Sequence, residues 1–143
     1  MKITELSIGD WVRDVRAITP RRIAGITPKG NVQMRTYDRT LKSVDIAYIG
    51  GLQLTLDILR KNGWKQGAWD GMNPNVISQT FRINDNQHLT YRLGEAVLRL
   101  TVFDPKRGTR TEWHAYVKGS YVNRFQLALR ALGLDSLADN FIV

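Results

Sequence analysis

Between residues 76 and 117 the sequence divides into four short runs separated by turn-forming residues. The runs are Val76–Ile83, His88–Leu93, Ala96–Phe103 and Arg110–Val117, and the separators are Asn84-Asp85-Asn86, Gly94-Glu95 and Asp104-Pro105-Lys106-Arg107-Gly108. Connections this short cannot carry the crossover that a parallel pair requires, so consecutive runs must pair as antiparallel hairpins. The runs also alternate. Leu89, Tyr91 and Leu93 fall on one face and His88, Thr90 and Arg92 on the other; Leu98, Leu100 and Val102 oppose Arg99 and Thr101. A meander with one apolar face needs a cover. Tyr121, Phe125, Ala128, Leu129 and Leu132 form a stripe at helical spacing, with Val122 at its margin, and predict a helix over Tyr121–Leu132 that supplies it. Ser120 is the expected N-cap of that helix and Gly133 its stop. Leu134, Leu137 and Phe141 are expected to complete the core, while Leu127 falls on the opposite side of the helix near Ala131, where it is a candidate partner contact.

Upstream, short strands again predominate. Ile8-Gly9-Asp10-Trp11-Val12 predicts a strand entered through a tight turn, Arg22–Ile26 a second, Val32–Tyr37 a third and Ser43–Tyr48 a fourth ended by Gly50-Gly51. Thr27-Pro28-Lys29-Gly30-Asn31 is turn material between the second and third. A short helix follows, with Thr55 as N-cap, Asp57 in its first turn, Arg60 and Lys61 near its end, and Gly63 in the left-handed position that lets Trp64 fold back onto Ile58 or Leu59. The expected architecture is α+β: an N-terminal SH3-like small β-barrel, a short helix, and an antiparallel β-meander covered by a C-terminal helix. A boundary near Gly50–Leu54 divides it into 1–52 and 53–143, with one compact unit as the other reading.

Composition narrows the chemistry. The 143 residues contain no cysteine, which excludes disulfide scaffolds, cysteine-based zinc and iron–sulfur sites, and thiol catalysis. The two histidines, His88 and His114, lie on different expected strands with no third ligand nominated, so no metal site is assigned. No nucleophile elbow and no phosphate-loop spacing occurs, and no cofactor is implied. Asp70, Asp85 and Asp104 could converge as paired carboxylates, but their Gly, Asn and Pro neighbours mark them as turn residues. No catalytic residue is assigned. No apolar run reaches the length of a membrane span, and the polar start does not form a signal peptide; a cytoplasmic location is the expectation.

The distinctive quantity is charge: 21 Lys and Arg oppose 13 Asp and Glu, for a formal net charge of +8. Residues 10–42 hold eight of the cations (Arg13, Arg16, Arg21, Arg22, Lys29, Arg35, Arg39 and Lys42) against Asp10, Asp14 and Asp38. Arginine suits forked contacts to phosphate, and Trp11 and Tyr37 are candidates to stack on an exposed base. The six arginines and one lysine from Arg13 to Arg39 are therefore the candidate nucleic-acid contacts. Arg92, Arg99, Lys106, Arg107 and Arg110 form a second basic group on the meander.

Three blocks of this sequence resemble a family. Ile8-Gly9-Asp10-Trp11-Val12, the segment Leu52–Trp64 (LQLTLDILRKNGW) and Val122–Gly133 (VNRFQLALRALG) are similar, in order, to blocks of small proteins of unknown function from Bacteroides-type genomes, phages and mobile elements. Leu56 stands where the family has proline, Asn123 where it has histidine, and Phe125 where it has leucine. The resemblance implies a two-part β-rich protein and supplies neither substrate nor site. From sequence, the expected function is a non-catalytic accessory or adaptor protein acting on a protein partner, as a monomer or weak homodimer. A nucleic-acid-binding module is the alternative, and an enzyme with a carboxylate site is a third reading.

Overall fold

In the computed structural model, which describes residues 1–17, 19–36, 39–67 and 78–143, two five-stranded antiparallel sheets are accompanied by short helices, one of which contacts both. The first sheet contains β1 (Trp11–Asp14), β2 (Pro20–Ile26), β3 (Asn31–Arg35), β4 (Leu41–Asp45) and β5 (Ile49–Gly51), in the order β4-β3-β2-β1-β5. Its strands are short because each ends at a residue that redirects the backbone. Thr27 is one example: its hydroxyl accepts the Asn31 N–H and closes the β2–β3 turn. The inner face buries Val12, Ile23, Val32, Met34, Val44 and Ile49 around Leu6. Among the described residues no strand pairing closes the sheet, so it is an open sheet with β4 and β5 at its edges rather than a closed barrel.

The expected strand Ser43–Tyr48 is two elements. Asp45 ends β4 by accepting the Ala47 N–H on its carboxylate, which starts a 3-10 turn over Ile46–Tyr48. A short polar side chain that bonds to the backbone two residues on competes with strand pairing, and here it prevails. Gly50 and Gly51 do not end a strand; they lie in β5, antiparallel to β1. A Cβ on Gly51 would come within 2.5 Å of the Tyr121 ring, so only glycine permits that contact.

The helix α1 (Leu56–Lys61) has the expected ends. The Thr55 hydroxyl accepts the Ile58 N–H, Gly63 takes φ +84°, and the Trp64 N–H donates to Leu59 O while Gly63 N–H donates to Arg60 O. This paired stop satisfies carbonyls that the helix would otherwise leave open.

The second sheet follows the hairpin pattern. After the two-residue β6 (Lys65–Gln66), β7 (Ser78–Asn84), β8 (Gln87–Arg92), β9 (Val97–Asp104) and β10 (Thr109–Tyr116) stack in the order β10-β9-β8-β7-β6. The expected beginning of its first long strand at Val76 lies outside the described residues, as do Tyr37, Asp38 and Asp70. Its apolar face packs on α2 (Val122–Ala131) and α3 (Asp135–Asp139). Phe125 is central to this core, with ring centroids 5.4 Å from Trp64, 5.0 Å from Tyr91 and 5.7 Å from Phe141.

Two details of α2 depart from expectation. Tyr121, not Ser120, occupies the N-cap, without a side-chain cap bond, and its ring is largely exposed against Gly51 rather than in the stripe. Ser120 instead uses its carbonyl to accept the Leu54 N–H, and the Val122 N–H donates to Leu52 O, so the 52–54 segment ties down the start of α2. Asn123 and Gln126 are buried although polar. Gln126 is fully used: its Oε1 accepts the Trp11 N–H at 2.9 Å, and its Nε2 donates to Gly9 O at 3.1 Å and Ala138 O at 2.9 Å. Beside it the Arg130 guanidinium meets the fully buried Asp10 carboxylate at 2.5 Å and Asp139 at 3.2 Å. Polar groups of α2 thus dock the first sheet.

Candidate nucleic-acid interface

Alternation in the first sheet puts Trp11 and Arg13 on the outer face of β1, away from Val12. Trp11 pairs with Arg22 on β2, and Arg35 follows one step beyond the Ile23–Met34 pair on β3, so Trp11, Arg22 and Arg35 form one row across three adjacent strands. The row opens into a groove of about 440 Å³ lined by Trp11, Pro20, Arg21, Arg22, Arg35 and Thr36 together with Thr19 and Val143. Among the described residues no Asp or Glu side chain lines it. Arg22 is preset: its Nε donates to Gly9 O at 3.1 Å and its guanidinium lies 5.7 Å from the Trp11 ring centroid. With Nε engaged, its terminal nitrogens keep donors for a ligand.

The remaining candidates separate. Arg13 shares the outer face but does not line the groove. Arg16 turns to Asp14, donating through Nε at 3.0 Å and Nη2 at 2.9 Å, and stacks 4.0 Å from the Tyr48 ring centroid. Those bonds hold the Asp14 carboxyl down at about 2, with Lys42 also 3.9 Å away. Arg39 sits in the turn after β3 with φ +65°, next to the Arg35 end of the groove. Lys29 occupies the turn at the opposite end of β3, roughly 20 Å away for six residues of strand. Trp11 is half-buried and donates its indole N–H to Phe141 O at 2.6 Å, so its ring serves the contact between the halves as much as the groove. Leu127 is 39% exposed on α2.

The second basic group forms a separate site. Arg92, Arg99 and Arg110 gather with Ser78, Thr90, Thr101 and Glu112 around a groove of about 430 Å³ on the polar face of the meander. Sequence alternation places Thr90, Arg92, Arg99 and Thr101 there; it does not signal the contributions of Ser78 and Glu112, which depend on the sheet register. Because Tyr91 and Leu98 face α2, this polar face points away from it, and the two grooves share no lining residue. The charge excess therefore does not merge into one face.

The two histidines share the polar face but oppose Thr101 and Arg99 respectively on β9. That leaves them on strands two spacings, or about 10 Å, apart. His114 lies 3.4 Å from Glu112, and burial pushes the His88 pKa down. Asp85 pairs with Arg82, and Asp104 accepts the Lys106 and Arg107 N–H groups in its turn. Among the described residues no three His, Cys, Asp or Glu side chains are placed to hold a metal ion, and no helix is long and apolar enough to cross a membrane. No protein family, no curated protein and no solved structure matches the chain.

Proposed function

We propose that this protein binds nucleic acid through the phosphate backbone, using the outer face of its N-terminal sheet. The observation that carries this is the groove lined by Arg21, Arg22 and Arg35, with no acidic side chain among its described lining residues and with Arg22 preset. We read the sheet as an SH3-like unit opened along one side, since its first strand β1 lies between β2 and its last strand β5. Backbone contacts of this kind position a strand but carry little sequence information, so the binding is expected to be sequence-tolerant. Protein binding through Leu127, the other function read from sequence, has less support: a lone half-exposed leucine needs no partner.

The test is salt dependence. Three phosphate contacts on a single strand give a log–log slope of about −2, so affinity for a labelled oligonucleotide should fall about twentyfold between roughly 50 and 200 mM salt. The triple variant Arg21→Ala, Arg22→Ala, Arg35→Ala should lose most of that slope while keeping its circular dichroism spectrum. A folded triple variant with unchanged affinity and slope would reject the groove.

A further inference from the structure

The meander groove differs from the first one in two respects. Its floor is nearly dry, and one wall is acidic. Thr90 and Arg99 stand directly opposite each other on β8 and β9, and Thr101 follows two residues along β9 on the same face. Directly opposite side chains in such a sheet have Cβ atoms about 5 Å apart, and second neighbours along a strand lie about 7 Å apart. A guanidinium fork and two hydroxyls thus bound a patch the size of one phosphate and its hydrogen bonds. The side chains of Thr90, Arg99 and Thr101 make no hydrogen bond or ion pair with any described residue. Thr101 and Ser78 are each only 4% exposed, so the floor is desolvated. Arg92 is braced at the rim by Ser78 Oγ and Glu95, and Glu112 stands opposite Thr101 on β10.

We propose that this groove binds a small phosphate monoester that carries a hydrogen-bond donor close to the phosphate, a mononucleotide with its ribose hydroxyls being a ligand of that chemistry. Arg99, with the Thr90 and Thr101 hydroxyls, takes the phosphate oxygens; a planar fork meets two of them at once, which an ammonium does not. Glu112, directly opposite Thr101, accepts from a hydroxyl or amino group next to the phosphate. The same carboxylate repels a continuous phosphate chain, which makes this a site for a discrete anion, separate from the strand-binding groove. Its volume lies within the range of about 300–1,000 Å³ that small-molecule sites occupy. All three phosphate ligands sit on strands inside the ladder, so the site is formed before anything binds.

Titration calorimetry of the full chain with AMP, adenosine and inorganic phosphate tests this. AMP should bind saturably, inorganic phosphate more weakly, and adenosine without detectable heat. Arg99→Met, which keeps the aliphatic stem, should weaken AMP about ten- to hundredfold, the loss expected for one charge-assisted contact. Glu112→Gln should tighten inorganic phosphate while narrowing its gap to AMP. The Arg21, Arg22, Arg35 triple variant should bind AMP as the parent does, which separates this site from strand binding. No heat with AMP at about 10 mM, or AMP binding that survives Arg99→Met, would overturn the proposal; an unchanged AMP-to-phosphate ratio in Glu112→Gln would overturn the part assigned to Glu112.

Discussion

Removing Arg130 should destabilise the protein more than removing the carboxylate it pairs with. Asp10 is fully buried, and its charge is met by the Arg130 guanidinium at 2.5 Å and by the Ser7 N–H at 2.9 Å. Burial raises its pKa above the ordinary 3.8, opposed chiefly by the hydrogen bond from Arg130. Arg130→Met keeps the stem and strands that charge. Breaking one side of a buried pair costs about 3–5 kcal/mol, and the 17% exposure of the Arg130 side chain points to the lower end. Over 143 residues the unfolding entropy is about 0.3 kcal/mol/K, so a loss of about 3 kcal/mol lowers Tm by about 10 °C. Asp10→Asn is milder, about 1–1.5 kcal/mol, because Arg130 keeps Asp139 at 3.2 Å. The pH dependence has a definite sign. Without Arg130 the folded-state pKa of Asp10 rises further, so the variant's deficit is smallest where the carboxyl is protonated and grows as pH climbs through that raised value. Thermal melts and urea midpoints at about pH 4 and pH 7 read both effects. A Tm within about 3 °C of the parent at neutral pH, or a deficit equal at the two pH values, would refute the reasoning.

Three further outcomes follow from single sites. Gln79 has both amide atoms buried without a hydrogen-bond partner among the described residues, so Gln79→Met should stabilise by about 1–2 kcal/mol, read as a higher urea midpoint. Asp14, held at about 2 chiefly by its Arg16 bonds, contributes stability that is present above 3.8 and lost as pH falls through about 2; Arg16→Met should flatten that acid limb in pH-dependent melts. Thr55→Ala removes the α1 cap and should cost about 1 kcal/mol, a drop of about 3 °C in Tm, whereas Thr55→Ser should be nearly neutral.

The elements easiest to read from sequence were those whose rules are local. The meander hairpins and the ends of α1 rest on residues within a few positions of each other, such as Thr55 with Ile58 and Gly63 with Arg60. Ser43–Tyr48 misled because apolar content suggests a strand, whereas one Asp45 hydrogen bond turns the chain. Ser120 misled because the start of α2 is held by Leu52 and Leu54, about 70 positions away. The same reason applies to the sites. Alternation found Thr90, Arg92, Arg99 and Thr101, while the groove of Arg21, Arg22 and Arg35 depends on a register between β2 and β3 that a stretch of charges does not encode. Arg16 shows the limit of counting cations: its neighbour Asp14 claims it.

The polar lock between β1 and α2 also orders events during synthesis. Asp10 and Arg130 are 120 positions apart, and Trp11 and Gln126 are 115 apart. At about 5–20 residues per second, a ribosome makes Arg130 roughly 6–24 s after Asp10. Throughout that interval the carboxylate that will be fully buried has no guanidinium to meet it, and Gly9 O and the Trp11 N–H lack the amide that joins them. Local strand pairing is free to begin early, but Asp10, Gly9 O and the Trp11 N–H at the start of β1 stay wet until α2 arrives. The nascent N-terminal sheet is therefore the stage at which a chaperone or a misassembled neighbour has the longest access to this chain.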